Sequence, residues 1–202
     1  MPSLFTTFVI APAYLVWDRI REHFSGVRER GGVLTDDEGL ARFELPYGWS
    51  ASGAVNIEAS LQICDHRRRR FVLVFSEARE DFEAAMTLDT HSSSTRAQLM
   101  ASLRVFDVRG PQYREVGGLP AVQYEIEGAF NMGIFRYLHT TIQGPRAFHQ
   151  VLCWTKKSRF DRLQFERLLD GFSEIPGPPP SYVSAPEPTV PTIEPTSGYD
   201  VH

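Results

Sequence analysis

The sequence predicts an α+β domain in which a mostly antiparallel sheet is sandwiched between helices, an α/β/α arrangement. Three observations lead there. Phe71-Val-Leu-Val-Phe75 is apolar on both faces, as a strand inside a sheet covered above and below must be. Ile134–Ile142 and Ala147–Thr155 flank Gln143-Gly-Pro-Arg146 and read as a hairpin whose two faces are again both apolar. Helical patterns at Glu80–Leu88, Thr95–Leu103 and from Ser158 onward supply the covers that such faces require.

Taken in order, the chain opens with an apolar stretch, Leu4 to Trp17, that stops at Asp18-Arg19 and is interrupted by Pro12. No positive charge precedes it, so it lacks the leading feature of a secretory signal. A clipped anchor, an interfacial segment and an element packed on the domain all remain open. Residues Asp18–Arg30 place Ile20, Phe24 and Val27 on one helical face, and Gly31-Gly32 ends that pattern. Thr35-Asp-Asp-Glu-Gly39 reads as a linker. Residues 1–40 are therefore expected to be an appendage and residues 41–175 the folded domain.

Within the domain, Arg42-Phe-Glu-Leu45 alternates and Pro46-Tyr-Gly-Trp49 turns the chain. Ile57, Ala59, Leu61 and Ile63 line one face of a second strand, and Asp65–Arg69 is a loop. Ser93 or Ser94 is the expected N-cap of the helix over Thr95–Leu103. Val116-Gly-Gly-Leu-Pro120 is a turn. Val122, Tyr124 and Ile126 then alternate with Gln123, Glu125 and Glu127, a strand with one wet face. If Ile142 pairs with Ala147, one face of the last hairpin holds Phe135, Tyr137, Leu152, Trp154 and Phe148. The other holds Ile134, Leu138, Ile142, Val151 and Cys153. Ser158-Arg-Phe-Asp161 has the form of a capping box, and Phe160, Leu163, Leu168 and Phe172 form the stripe its helix buries.

The 202 residues carry a formal net charge of −4, which excludes a basic nucleic-acid wrapper. Eight of the 14 prolines fall in residues 176–202, where the only charges are Glu187, Glu194 and Asp200. A stretch so poor in large apolar residues cannot offset the entropy of ordering, so a disordered tail with polyproline II character is expected. Two cysteines, Cys64 and Cys153, are too few for a disulfide scaffold, and two buried free thiols are expected. His139 and His149 are the natural candidates for a metal pair, yet the hairpin register sends them to opposite faces. His66 and His91 have no ligand-spaced companion, and Asp36-Asp-Glu38 lacks the alternation of a calcium loop. Gly48-Trp-Ser-Ala-Ser-Gly53 misses the nucleophile elbow by one residue. Arg67–Arg70 reads as a solvated hairpin tip, with an anionic-lipid or phosphate contact as its functional alternative.

Four motifs carry a resemblance. Phe43-Glu-Leu-Pro46-Tyr-Gly-Trp49 resembles the first strand and Pro-x-Gly-Trp turn of the PsbP-like family. Gly118-Leu-Pro-Ala-Val-Gln-Tyr124 is similar to that family's Gly-x-Pro-Ala strand. Phe148 to Thr155 resembles its penultimate strand, and Ser158 through Phe172 its terminal helix. The match covers residues 41–175 in the family's order. It implies an α/β/α sandwich and a non-catalytic module, as in extrinsic subunits of membrane complexes, DcrB-like envelope proteins and Eag-type chaperones.

The expectation for function is thus a protein-binding or assembly module of bacterial type with a protein partner. Membrane association would run through residues 4–17. No nucleic acid, metal, cofactor or catalytic residue is expected. One alternative is a chaperone cradling apolar helices of secreted effectors. The other is a small-ligand binder or enzyme with a pocket beside Tyr47, Trp49 and Trp154, which convergence of His139 with a carboxylate would favour.

Overall fold

Strand pairing in the computed structural model builds two sheets from ten strands. The structure describes residues 31–52, 56, 58–130 and 133–177. The apolar stretch, the helix over 18–30, Ile57 and the Pro-rich tail from residue 178 lie outside the described residues.

The first sheet is small. Strand β1 (Gly32–Thr35) pairs antiparallel with β2 (Ala41–Leu45), which pairs in turn with β10 (Phe172–Glu174). Alternation in β2 buries Ala41, Phe43 and Leu45 and leaves Arg42 and Glu44 outside, ion-paired at 2.6 Å. Residues 35–39, expected as linker, are the turn of this hairpin. Asp36 is buried there, its Oδ1 accepting the Leu40 N–H at 2.7 Å, so an acidic residue that looked solvated closes a turn instead.

The second sheet runs β3-β4-β5-β9-β8-β7-β6. Its strands are β3 (Ser50–Ala51), β4 (Leu61–Asp65), β5 (Arg70–Ala78), β6 (Arg104–Val116), β7 (Leu119–Phe130), β8 (Gly133–Gln143) and β9 (Ala147–Lys156). Every pairing is antiparallel. The two-sided apolar pattern of β5 is explained by its central position. Val72 and Val74 join one core with Leu138, Val151 and Cys153, while Phe71, Leu73 and Phe75 join the other with Tyr137, Leu152 and Trp154. The first core is covered by the small sheet and by helix α2 (Arg162–Leu169), through Phe43, Phe165, Leu168 and Phe172. The second is covered by helix α1 (Leu88–Ala101), through Leu99.

Several local expectations shift. No helix forms over Glu80–Leu88 beyond a 3₁₀ turn at Arg79–Asp81, because Phe82 is drawn edge-on against His91 and Phe148. The helix begins instead at Leu88. Thr87 is its N-cap, in extended conformation and accepting the Thr90 N–H, so Ser93 and Ser94 lie inside the helix. At the last helix, Lys157–Arg159 forms a 3₁₀ turn and Asp161 is the cap, which moves the helix three residues past the expected box. That offset rotates the buried face. Phe165, Leu168 and Leu169 are buried and Leu163 is 63% exposed. Strand β4 starts only at Leu61, and the turn after β6 narrows to Gly117-Gly118. Gly117 has a positive φ of 58°, and a Cβ there would stand 2.5 Å from the Phe172 carbonyl oxygen.

Candidate functional site

The β8–β9 hairpin carries the residues of most chemical interest. Ile142 pairs with His149 and His139 with Leu152, a register two residues beyond the expected one. The turn residues explain the shift: Gly144 N–H donates to Ala147 O, closing a loop of residues 144–147. An even shift leaves each side chain on its expected face. His139 and His149 therefore do point to opposite sides, and both are fully buried.

On the α1 side, His139 Nε2 lies 3.1 Å from Thr95 Oγ1, beside the Tyr124 ring. Burial pushes its pKa down to about 3, reinforced by the Arg96 charge, so the ring is neutral across the physiological range. His91 on the same side stacks on Phe148 at 4.7 Å, with Nε2 2.8 Å from Glu77 Oε2. His139 thus meets a hydroxyl and not a carboxylate.

On the opposite side a hydroxyl, an imidazole and a carboxylate stand in line. Ser76 Oγ–H donates to His149 Nδ1 at 3.0 Å, and His149 Nε2–H donates to Glu174 Oε2 at 3.1 Å. These are the parts of a proton relay. Glu174 also accepts the backbone N–H groups of Arg146 and Ala147, both at 3.0 Å, and its side chain is 6% exposed. Burial lowers the His149 pKa and outweighs the upward pull of Glu174 and Asp36. The chain Ser76–His149–Glu174 fastens β10 to the β8–β9 turn, a bond between the two sheets.

The cysteines are both buried and free. Cys64 faces the α1 core and Cys153 the α2 core, with β5 between their strands, so no bridge joins them. Cys64 Sγ lies 2.7 Å from His66 Nε2, and burial raises its pKa to about 11. Ser50, in the near-elbow, sits in β3 with its Oγ 3.8 Å from that sulfur. The pocket imagined beside Tyr47, Trp49 and Trp154 does not form. Trp49 packs edge-on against Phe165 in one core, Trp154 stacks on Phe71 in the other, and Tyr47 is 82% exposed. Among the described residues, no three His, Cys, Asp or Glu side chains converge as metal ligands would.

The face of β7 expected to be wet is covered. Gln123 is buried, donating to Thr140 Oγ1 and accepting from Arg162. Arg136 bridges Glu125 and Glu127, and Lys157 meets Glu127 at 2.5 Å. Those two cations hold the Glu127 carboxyl below its usual range, Lys157 first. Acids that alternate with apolar residues here mark an ion-pair layer under α2.

What sequence reading missed is β6, an edge strand of the large sheet. It carries Val108 and Tyr113 at its surface, with Tyr113 OH donating to Asp89. Register breaks at Phe106 and at Gly110-Pro111 shift the side-chain parity twice. A period of two therefore never persists long enough to be seen. Pro111 and the two bulges also blunt the edge against strand addition, leaving side chains as its means of contact.

No family model and no curated protein matches the sequence. Solved structures do. The cyanobacterial PsbP (CyanoP) from Synechocystis sp. PCC 6803 superposes with a TM-score of 0.51 at 14% identity, over 75% of this chain and 95% of that one. The fold is that of PsbP. LpqN of Mycobacterium tuberculosis, described as involved in cell envelope biogenesis, superposes with a TM-score of 0.50 at 14% identity. That match covers 81% of this chain and 98% of LpqN. The PsbP fold accounts for the order of the four sequence motifs: β2 and its turn, β7, β9, and α2 with β10 follow one another as the resemblance requires.

Proposed function

We propose that the chain is a non-catalytic binding module that docks a protein partner, in the manner of an assembly subunit. The observation that carries this reading is the division of its residues. The reactive groups of the hairpin are closed into bonds between sheets and helices, while β6 leaves Val108 and Tyr113 at the surface of an edge of the sheet. A large aromatic and a β-branched residue on a rigid strand suit a contact with a protein surface. The description of LpqN, which shares the fold, as involved in cell envelope biogenesis supports a bacterial envelope setting. The aromatic row Phe71, Trp154 and Tyr137 is at most 8% exposed and belongs to the core, which favours edge contact over an open trough for apolar helices.

The reading is tested by comparing Val108→Glu/Tyr113→Glu with Ser76→Ala for co-purification of the partner from the source organism. The edge variant is expected to lose the partner and Ser76→Ala to keep it. Retention by the edge variant, or loss on removing the Ser76 hydroxyl alone, contradicts it.

A further inference from the structure

Strand pairing gathers charge of opposite sign at the two ends of the large sheet. One end holds the β4–β5 turn, the end of β9, and the starts of β6 and β8. There Arg67, Arg68, Arg69, Lys156, Arg159 and Arg104 are exposed. Among the described residues, three acids at that end are bonded within the domain. Asp65 is 1% exposed and bonded to Arg68, Glu127 is held by Arg136 and Lys157, and Asp161 caps α2. The other end holds the β1–β2 turn and the end of β5, with Asp37, Glu38, Glu80, Asp81 and Glu83 exposed. Its Arg146 is turned inward onto the carbonyl oxygens of Gly39 and Ile175.

Three further features sit at the basic end. Tyr47 is 82% exposed, one residue from Gly48, where a Cβ would lie 4.0 Å from Arg68 Nη1. Phe106 is 49% exposed with the Arg104 guanidinium 5.8 Å from its ring, and Ile134 is 47% exposed. The chain also enters the described body there. A Cβ on Gly31 would meet the backbone of Leu45, Pro46 and Tyr47, so the first described residue lies at the basic end. Gly177, from which the Pro-rich tail continues, lies against Arg146 at the acidic end.

We propose that the basic end is a docking face for a membrane surface carrying anionic phospholipid. The exposed arginines face the headgroups, and Tyr47, Phe106 and Ile134 enter the interfacial layer. A tyrosine beside cations suits the boundary between headgroups and acyl chains, and Phe106 and Ile134 add apolar surface to it. Docked this way, the acidic end points away from the lipid. This goes beyond the protein-binding reading and leaves Val108 and Tyr113 available for a partner.

The test is co-sedimentation of the full chain with vesicles of phosphatidylcholine alone and of phosphatidylcholine with phosphatidylglycerol. Any contribution of the apolar stretch Leu4 to Trp17 is common to both kinds, so the readout is the ratio between the two partition coefficients. Wild type is expected to favour the anionic vesicles and to lose that preference in high salt. Arg67→Gln/Arg68→Gln/Arg69→Gln is expected to lower the ratio roughly a hundredfold, at about fivefold per charge near the surface. Because Arg68 also bonds Asp65, Arg67→Gln/Arg69→Gln keeps that bond and still lowers the ratio roughly 25-fold. Glu80→Gln/Glu83→Gln at the far end should leave it unchanged. Equal partition of wild type into both vesicles, or an unchanged ratio in the double arginine variant, overturns the proposal. So does binding of double-stranded DNA at a salt concentration where anionic vesicles stay unbound.

Discussion

His149 of β9 donates its Nε2–H to Glu174 of β10 across 3.1 Å, and this bond ties the seven-stranded sheet to the three-stranded one. Around it Phe172 packs edge-on to the His149 ring at 5.0 Å, and Ser76 fills the other ring nitrogen. The imidazole and carboxylate are buried and Glu174 also holds two backbone N–H groups, so loss of this linkage should be read in stability.

Glu174→Ala removes the acceptor for three donors: His149 Nε2, Arg146 N and Ala147 N. Each buried donor left unpaired costs about 1–3 kcal/mol, so a total loss of about 3–9 kcal/mol is expected from urea unfolding. Ser76→Ala removes one bond to a half-buried hydroxyl and should cost about 1 kcal/mol.

Acid should weaken the fold through its buried histidines. The His139 pKa falls from 6.5 to about 3 on folding, because burial disfavours the charged ring. Between those values the unfolded chain binds the proton and the native one does not. Stability from this group is therefore intact above pH 6.5, falls steadily below it, and stops falling near pH 3. His149, shifted the same way, adds to the slope. Unfolding midpoints measured from pH 8 to pH 4 should drop, and His139→Phe should make the drop shallower. A His139 imidazole whose NMR shift titrates near pH 6.5 would contradict this.

Both thiols should be silent in the native state. Cys64 and Cys153 are 0% exposed, and burial raises both pKa values. A thiol reagent at pH 8 should label neither before unfolding and both afterwards, and oxidation should not join them within one chain.

The face of α2 separates two readings of one helix. Phe165→Ala should cost about 3–5 kcal/mol, as for a large side chain removed from a packed core. Leu163→Ala, at an exposed position, should stay within about 0.5 kcal/mol of wild type.

Much of the sheet was legible because burial writes itself into side-chain parity. Phe71–Phe75, Val122–Ile126 and the faces of the last hairpin follow a period of two wherever strands run without bulges. The hairpin faces survived a register error because that error was even. What could not be read was settled by contacts far apart in sequence. Thr35–Gly39 looks like linker until β1 finds β2. The covered acids of β7 need Arg136, Lys157 and Arg162 before they cease to look solvated. The chain Ser76–His149–Glu174 joins three strands that no spacing connects. Strand β6 left no pattern because its two bulges erase the alternation.

On the proposed function, the chain binds its partner through the β6 edge while its interior polar groups serve structure. Site-specific photo-crosslinking tests it most directly. A photoreactive phenylalanine analogue is placed at Tyr113, and for comparison at Leu163 on α2. A discrete cross-linked partner at Tyr113, absent at Leu163 and undiminished in the Ser76→Ala background, is the expected result. No partner at Tyr113, or the same adducts at Leu163, would contradict it.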